Sequence, residues 1–137
     1  MDSVFIFFAD ATHEEVEAAV VPFGFLNENV ARGADQFYFR RYSSSQQASE
    51  LEPHEVQAIE SLLGSSPQSA FEVATRHGPS AVFALEVVSK LMQQFAASAL
   101  DDDFGNLFPS SSVVRLYTNH PAQGIYALRE LPSGKSE

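Results

Sequence analysis

Cysteine is absent from this 137-residue chain. That one absence removes disulfides, thiolate nucleophiles and cysteine-based zinc or iron–sulfur sites together. Long apolar runs are missing as well. A membrane-spanning helix needs roughly 20 apolar residues, and the longest candidate, residues 81–100, is broken by Glu86, Lys90, Gln93 and Gln94. The first residues, Met1-Asp2-Ser3-Val4, carry no basic charge and precede only a short apolar run, so no secretory signal is encoded and a cytoplasmic location is expected. Basic residues are scarce, with eight Lys and Arg against eighteen Asp and Glu and a formal net charge of -10. Binding to a phosphate backbone draws on clustered cations, so neither nucleic acid nor a membrane is an expected partner.

Local catalytic signatures are also lacking. No GxSxG elbow, GxGxxG loop or Ser-x-x-Lys arrangement occurs, which leaves hydrolase, dinucleotide and acyl-serine chemistry without an anchor. The four histidines, His13, His54, His77 and His120, are scattered, and no HExxH or HxH pattern links them. His13 and Glu17 stand one helical turn apart and could share a ligand, although a solvated first-turn histidine is the plainer reading. The run Asp101-Asp102-Asp103 offers hard oxygens for Ca²⁺ or Mg²⁺. Its register is not that of an EF-hand, since the fifth position is Gly105 and the twelfth is Ser112. The letters Asp103-Phe104-Gly105 lack the other parts of a kinase. Gly134-Lys135-Ser136 mimics a phosphate loop without its first glycine or a following helix. No catalytic residue, metal or cofactor is therefore assigned.

The composition that remains, 45% hydrophobic, 12% aromatic and 19% charged, is that of an ordinary globular domain. Residues 1–131 are expected to form a single domain and residues 132–137 a flexible tail. Residues 4–9 read as a buried strand. Thr12 and Glu15 form a capping box for a helix over residues 13–21, which Pro22 and Gly24 end. Alternation predicts strands over residues 35–42 and 69–76, and the Ser/Gln-rich residues 43–50 read as a loop. Pro53 and Gly64 bracket a second helix. Gly78-Pro79 opens a third, strongly apolar one. Residues 101–106 read as an acidic turn, residues 112–117 as a serine-capped helix or a strand, and residues 123–130 as a last strand. The pattern predicts an α+β fold, with a mixed or mostly antiparallel sheet of about four to five strands and two or three helices packed on one face. A three-layer α/β sheet is the alternative.

The acids are not spread evenly. Six lie in the first thirty residues, which contain no Lys or Arg; Glu50, Glu52, Glu55 and Glu60 form a second group and the aspartate triplet a third. Should these meet in space, they form a negative surface able to steer a basic partner; the bland reading is helix-start acids that complement dipoles and aid solubility. The expected function is a non-catalytic, acidic protein-binding module that inhibits a basic partner such as a toxin. In size, charge and want of a catalytic motif the chain is similar to bacterial immunity proteins and antitoxins. Glu14, Glu15, Glu17, Asp101, Asp102 and Asp103 are the expected contacts. Two further readings are a nucleic-acid mimic, and a small enzyme or ligand-binding domain with a pocket near His77 and the aromatic strand face at Tyr38 and Tyr42. Twelve phenylalanines could furnish a homodimer face or simply the core.

Overall fold

Alternation along the first strand sets the layout. In the computed structural model, which describes residues 1–130, β1 (Asp2–Phe8) sends Val4, Ile6 and Phe8 into one hydrophobic cluster and Phe5 and Phe7 into another. Successive strand residues point to opposite faces, and here both faces are covered.

β5 (Ser69–Thr75) and β6 (Ser98–Asp101) flank β1, both antiparallel to it. β4 (Asp35–Arg41) pairs with the far side of β5. The margins are β2 (Phe25–Leu26), β3 (Asn29–Arg32) and β7 (Leu107–Pro109), and the order across the sheet is β2-β3-β4-β5-β1-β6-β7. Because β5 separates β1 from β4, those two run parallel, linked through α1 (His13–Val20). β5 and β6 likewise run parallel on either side of β1, linked through α4 (Pro79–Gln94). Two βαβ units are thereby interleaved, the split βαβ plan of ferredoxin-like α+β folds.

The α+β class with an antiparallel sheet holds, but the sheet has seven strands among the described residues rather than four to five. The β2–β3 hairpin turns through Asn27 and Glu28, both at positive φ (51° and 65°), a conformation that hairpin turns favour but that the dipeptide Asn-Glu does not advertise. Among the described residues there are five α-helices rather than two or three. Residues 43–50 are not a loop: α2 (Ser44–Glu50) starts on a capping box in which Ser43 Oγ accepts from Gln46 N–H and Gln46 Oε1 accepts from Ser43 N–H. α5 (Ser110–Asn119) is helical throughout, with Pro109 at its N-cap rather than a serine. The expected last strand is instead a 3₁₀ helix, Ile125–Glu130. Ile125 and Leu128 are buried three residues apart, a spacing that the three-residue turn places on one side.

The larger cluster lies between one sheet face and α1, α4 and α5. Eight residues of α4, among them Phe83, Val87 and Leu91, are buried there. On the other face α3 (Pro53–Leu63) seats Ile59 against Phe7, Tyr42 and Ala70. Helices therefore occupy both faces, not one. The expected tail at residues 132–137 lies outside the described residues. No helix among the described residues is long and apolar enough to cross a membrane.

Candidate functional site

The register places Phe5 directly between Glu72 of β5 and Asp101 of β6, so Asp101 shares the α3-bearing face with Phe5 and Phe7. The chain then turns through Asp102, whose side chain is fully buried. Its Oδ1 accepts from the N–H groups of Phe104 (2.8 Å) and Asn106 (3.1 Å), and its Oδ2 accepts from Asn106 Nδ2 (2.9 Å). Asp102 is spent on building the turn. That turn holds Asp103 outward at φ 66° while its N–H donates to Asp101 Oδ1 at 2.8 Å.

Asp101 and Asp103 face Glu50 at the end of α2 and Glu55 at the start of α3 across a recess of about 100 Å³, walled by Phe5, Phe7 and Tyr42. Tyr42 extends β4 by donating its N–H to Ala70 O. Its ring lies 4.6 Å from that of Phe5, and its hydroxyl donates to Glu50 Oε1 at 3.0 Å. Burial pushes the Asp101 carboxyl up to about 6, the Asp103 N–H opposes the shift, and the charges of Asp102, Asp103 and Glu55 add to it. Burial also raises Asp103, with Arg129 opposing, and burial followed by the Glu50 hydrogen bond raises Tyr42. Among the described residues, Glu50, Glu55, Asp101 and Asp103 make no ion pair with a cation. The recess is an electronegative pocket with aromatic walls, suited to a positively charged side chain.

The six expected contacts do not come together. Glu14, Glu15 and Glu17 ride on α1, whose Val16 and Val20 enter the larger cluster on the opposite sheet face. Glu15 closes the capping box with Thr12, its Oε1 2.8 Å from Thr12 N. Glu17 is held by a two-pronged contact with Arg41 at 2.7 and 2.9 Å, and Arg41 keeps its carboxyl below the usual range. Glu14 stays exposed, 3.6 Å from the same arginine. Of the triplet, Asp101 and Asp103 reach the recess and Asp102 does not. The residue reasoning grouped Glu50 and Glu55 with Glu52 and Glu60 as a second acidic cluster but did not count them among the expected contacts. The available signal was the want of any Lys or Arg from residue 42 to residue 75.

No group of three or more His, Asp or Glu among the described residues is arranged to hold a metal ion. His13 is half-buried, its Nε2 accepting from Ala70 N–H at 3.3 Å. His77 Nε2 lies 2.9 Å from Asp2 Oδ2, and the imidazole sits on the Tyr126 ring. His77 and then Arg129 hold the Asp2 carboxyl below its ordinary value. A separate pocket of about 410 Å³ beside His77 is lined by Tyr38, Asn29, Gln36, Arg76 and Ser80. Tyr42 is not part of it, so the two aromatic positions expected to share a pocket belong to different ones.

Fold and recess together define an acidic α+β domain with a carboxylate-lined aromatic pocket. Comparison with protein-family models, with curated proteins and with solved structures finds no match.

Proposed function

We propose that the chain is a non-catalytic acidic module that docks on, and so inhibits, a basic protein partner such as a toxin. The observation that carries this reading is the recess in which Glu50, Glu55, Asp101 and Asp103 converge around Phe5 and Tyr42, none of the four in an ion pair among the described residues. Aromatic walls with surrounding carboxylates favour an arginine or lysine side chain supplied from outside. The net charge of -10 adds long-range attraction that speeds encounter and weakens with salt.

The test compares E50Q/E55Q/D101N/D103N with E14Q/E15Q, both first shown by circular dichroism to be folded. Each is used to capture proteins from native lysate at low and high salt, and the captured protein is identified, purified and rebound. A basic partner bound one-to-one, lost with the first variant and kept with the second, is the expected result. Retention of that partner by the fourfold variant overturns the proposal. A second reading, a small-molecule site, draws on the 410 Å³ pocket beside His77, a volume within the usual range of ligand sites. A metabolite that raises the melting temperature of the unmodified chain but not of H77A would favour it.

A further inference from the structure

In a chain with eighteen acidic residues, a cation finds a carboxylate easily. Arg32 pairs with Glu86, Arg40 with Glu72, Arg41 with Glu17, Lys90 with Glu86 and Arg129 with Asp2. The side chain of Arg76 makes no ion pair or hydrogen bond among the described residues. It stands exposed just past the end of β5, where the chain turns through Gly78 at φ 93° into α4, and it lines the pocket of about 410 Å³ beside His77. Other polar groups of that lining are unspent too. Asn29 Nδ2 donates to Gln36 Oε1 at 3.4 Å, and Gln36 N–H donates to Ser80 Oγ at 3.1 Å. The Gln36 side-chain nitrogen and the hydroxyl protons of Ser80 and Tyr38 have no protein acceptor among the described residues. Asp35 is the carboxylate of the lining.

We propose that this pocket binds a small hydroxylated organic acid, a sugar phosphate or a sugar acid, whose acid group pairs with Arg76. A guanidinium with no carboxylate of its own can take a phosphate or carboxylate in a two-pronged contact. The rest of the lining suits hydroxyl groups, which both donate and accept: the Asp35 carboxylate accepts, the Gln36 side-chain nitrogen donates, and the Tyr38 and Ser80 hydroxyls do either. An apolar acid would take water from these groups and return no hydrogen bond, and a ligand bearing an ammonium in place of the acid meets Arg76 as like charge. The volume is within the usual range of ligand sites. The inference rests on the small-molecule reading of this pocket and gives it a ligand class. The pocket shares no lining residue with the Asp101 recess, so the two sites are tested separately.

The test titrates glucose 6-phosphate, gluconate, glucose, glucosamine and inorganic phosphate, each alone, into the full chain and follows amide NMR shifts. Arg76→Gln removes the cation at an exposed position without a side-chain partner, with little risk to the fold. Lys90→Gln, on α4 and outside the pocket, removes the same charge elsewhere. Glucose 6-phosphate, gluconate or both bind with shifts centred on Gln36, Tyr38 and Ser80, lose about tenfold in affinity for R76Q and are unaffected by K90Q. The tighter of the two acids tells which oxyanion the site takes. Glucose, glucosamine and inorganic phosphate bind at least about tenfold more weakly. Binding of neither acid, unchanged affinity in R76Q, an equal loss in K90Q, or inorganic phosphate binding as tightly as the acids overturns the proposal. The ligand class and the pocket fail separately: glucose binding as tightly as the acids, with shifts at those three residues, refutes the acid assignment alone, while shifts that lie elsewhere for every probe refute the small-molecule reading of the pocket as well.

Discussion

Asp101→Asn should stabilise the protein, and the gain should depend on pH. The folded state holds the Asp101 proton more tightly than its ordinary value of 3.8 implies, up to about 6. A group whose folded pKa is raised contributes stability that is intact below the unfolded value and is lost as pH rises through the folded one. At about 1.36 kcal/mol per unit, the penalty grows from about 0.5 kcal/mol at pH 4 to about 3 kcal/mol above pH 7. Solvent reaches part of this half-buried carboxyl, and screening reduces the upper figure to about 2 kcal/mol. Asparagine keeps an Oδ1 to accept the Asp103 N–H and carries no charge, so D101N should exceed the parent by no more than about 0.5 kcal/mol at pH 4 and by about 2 kcal/mol at pH 8. Urea unfolding followed by far-ultraviolet circular dichroism, on dilute protein because the sequence pI is near 4.7, measures the difference. The reasoning is refuted if D101N is no more stable at pH 8, or if the gain is the same at both pH values.

Three other outcomes are expected. Tyr126→Phe should cost about 1–3 kcal/mol in chemical unfolding, because its buried hydroxyl reaches the carbonyls of Asp2 and Thr75 and accepts from Thr75 N–H, tying the 3₁₀ helix to the ends of β1 and β5. Gly24→Ala should cost at least about 1–3 kcal/mol, since φ is 98° and a Cβ there would collide with the carbonyl of Ala31; a melting temperature unchanged from the parent would contradict it. Glu17→Gln should cost under about 1 kcal/mol at neutral pH. The Glu17 carboxyl is held below its ordinary 4.5 by Arg41, so its contribution is present above that value and disappears as pH falls through the lowered one, and the parent and E17Q unfolding midpoints should converge in acid.

The legible parts of the fold are those where two sequence signals agree. Thr12 with Glu15, Pro53 with Gly64, and Gly78-Pro79 ahead of a four-residue apolar rhythm each combine a boundary with a buried stripe, and all three helices are where those signals place them. α2 has the boundary without the stripe: Ser43 and Gln46 are a capping box, but no apolar period follows, so composition alone suggests a loop. β6 and β7 are short and take strand form through long-range pairing with β1 and with each other. Both sides of the recess are visible as acidic groups, the Asp101 run and the group holding Glu50 and Glu55, but which members of the two groups meet is not. Their meeting depends on α2 and α3 being inserted between β4 and β5 and folded over the Phe5 and Phe7 face, which no local pattern encodes.

The interleaving of the two βαβ units has a consequence for synthesis on the ribosome. β1 can bond to neither neighbour until much later chain has emerged: Phe8 pairs with Ser69 and Asp2 with Thr75 on one side, and β6 at Ser98–Asp101 supplies the other. Until then Phe5, Ile6, Phe7 and Phe8 form a bare β-prone segment with two open edges, the kind that associates between chains. The nascent protein thus passes through a long interval in which a strand covered on both faces in the finished fold lies open to solvent. Folding should proceed as one late, cooperative event, and fragments ending before β5 should be caught by chaperones or aggregate rather than persist as half-domains.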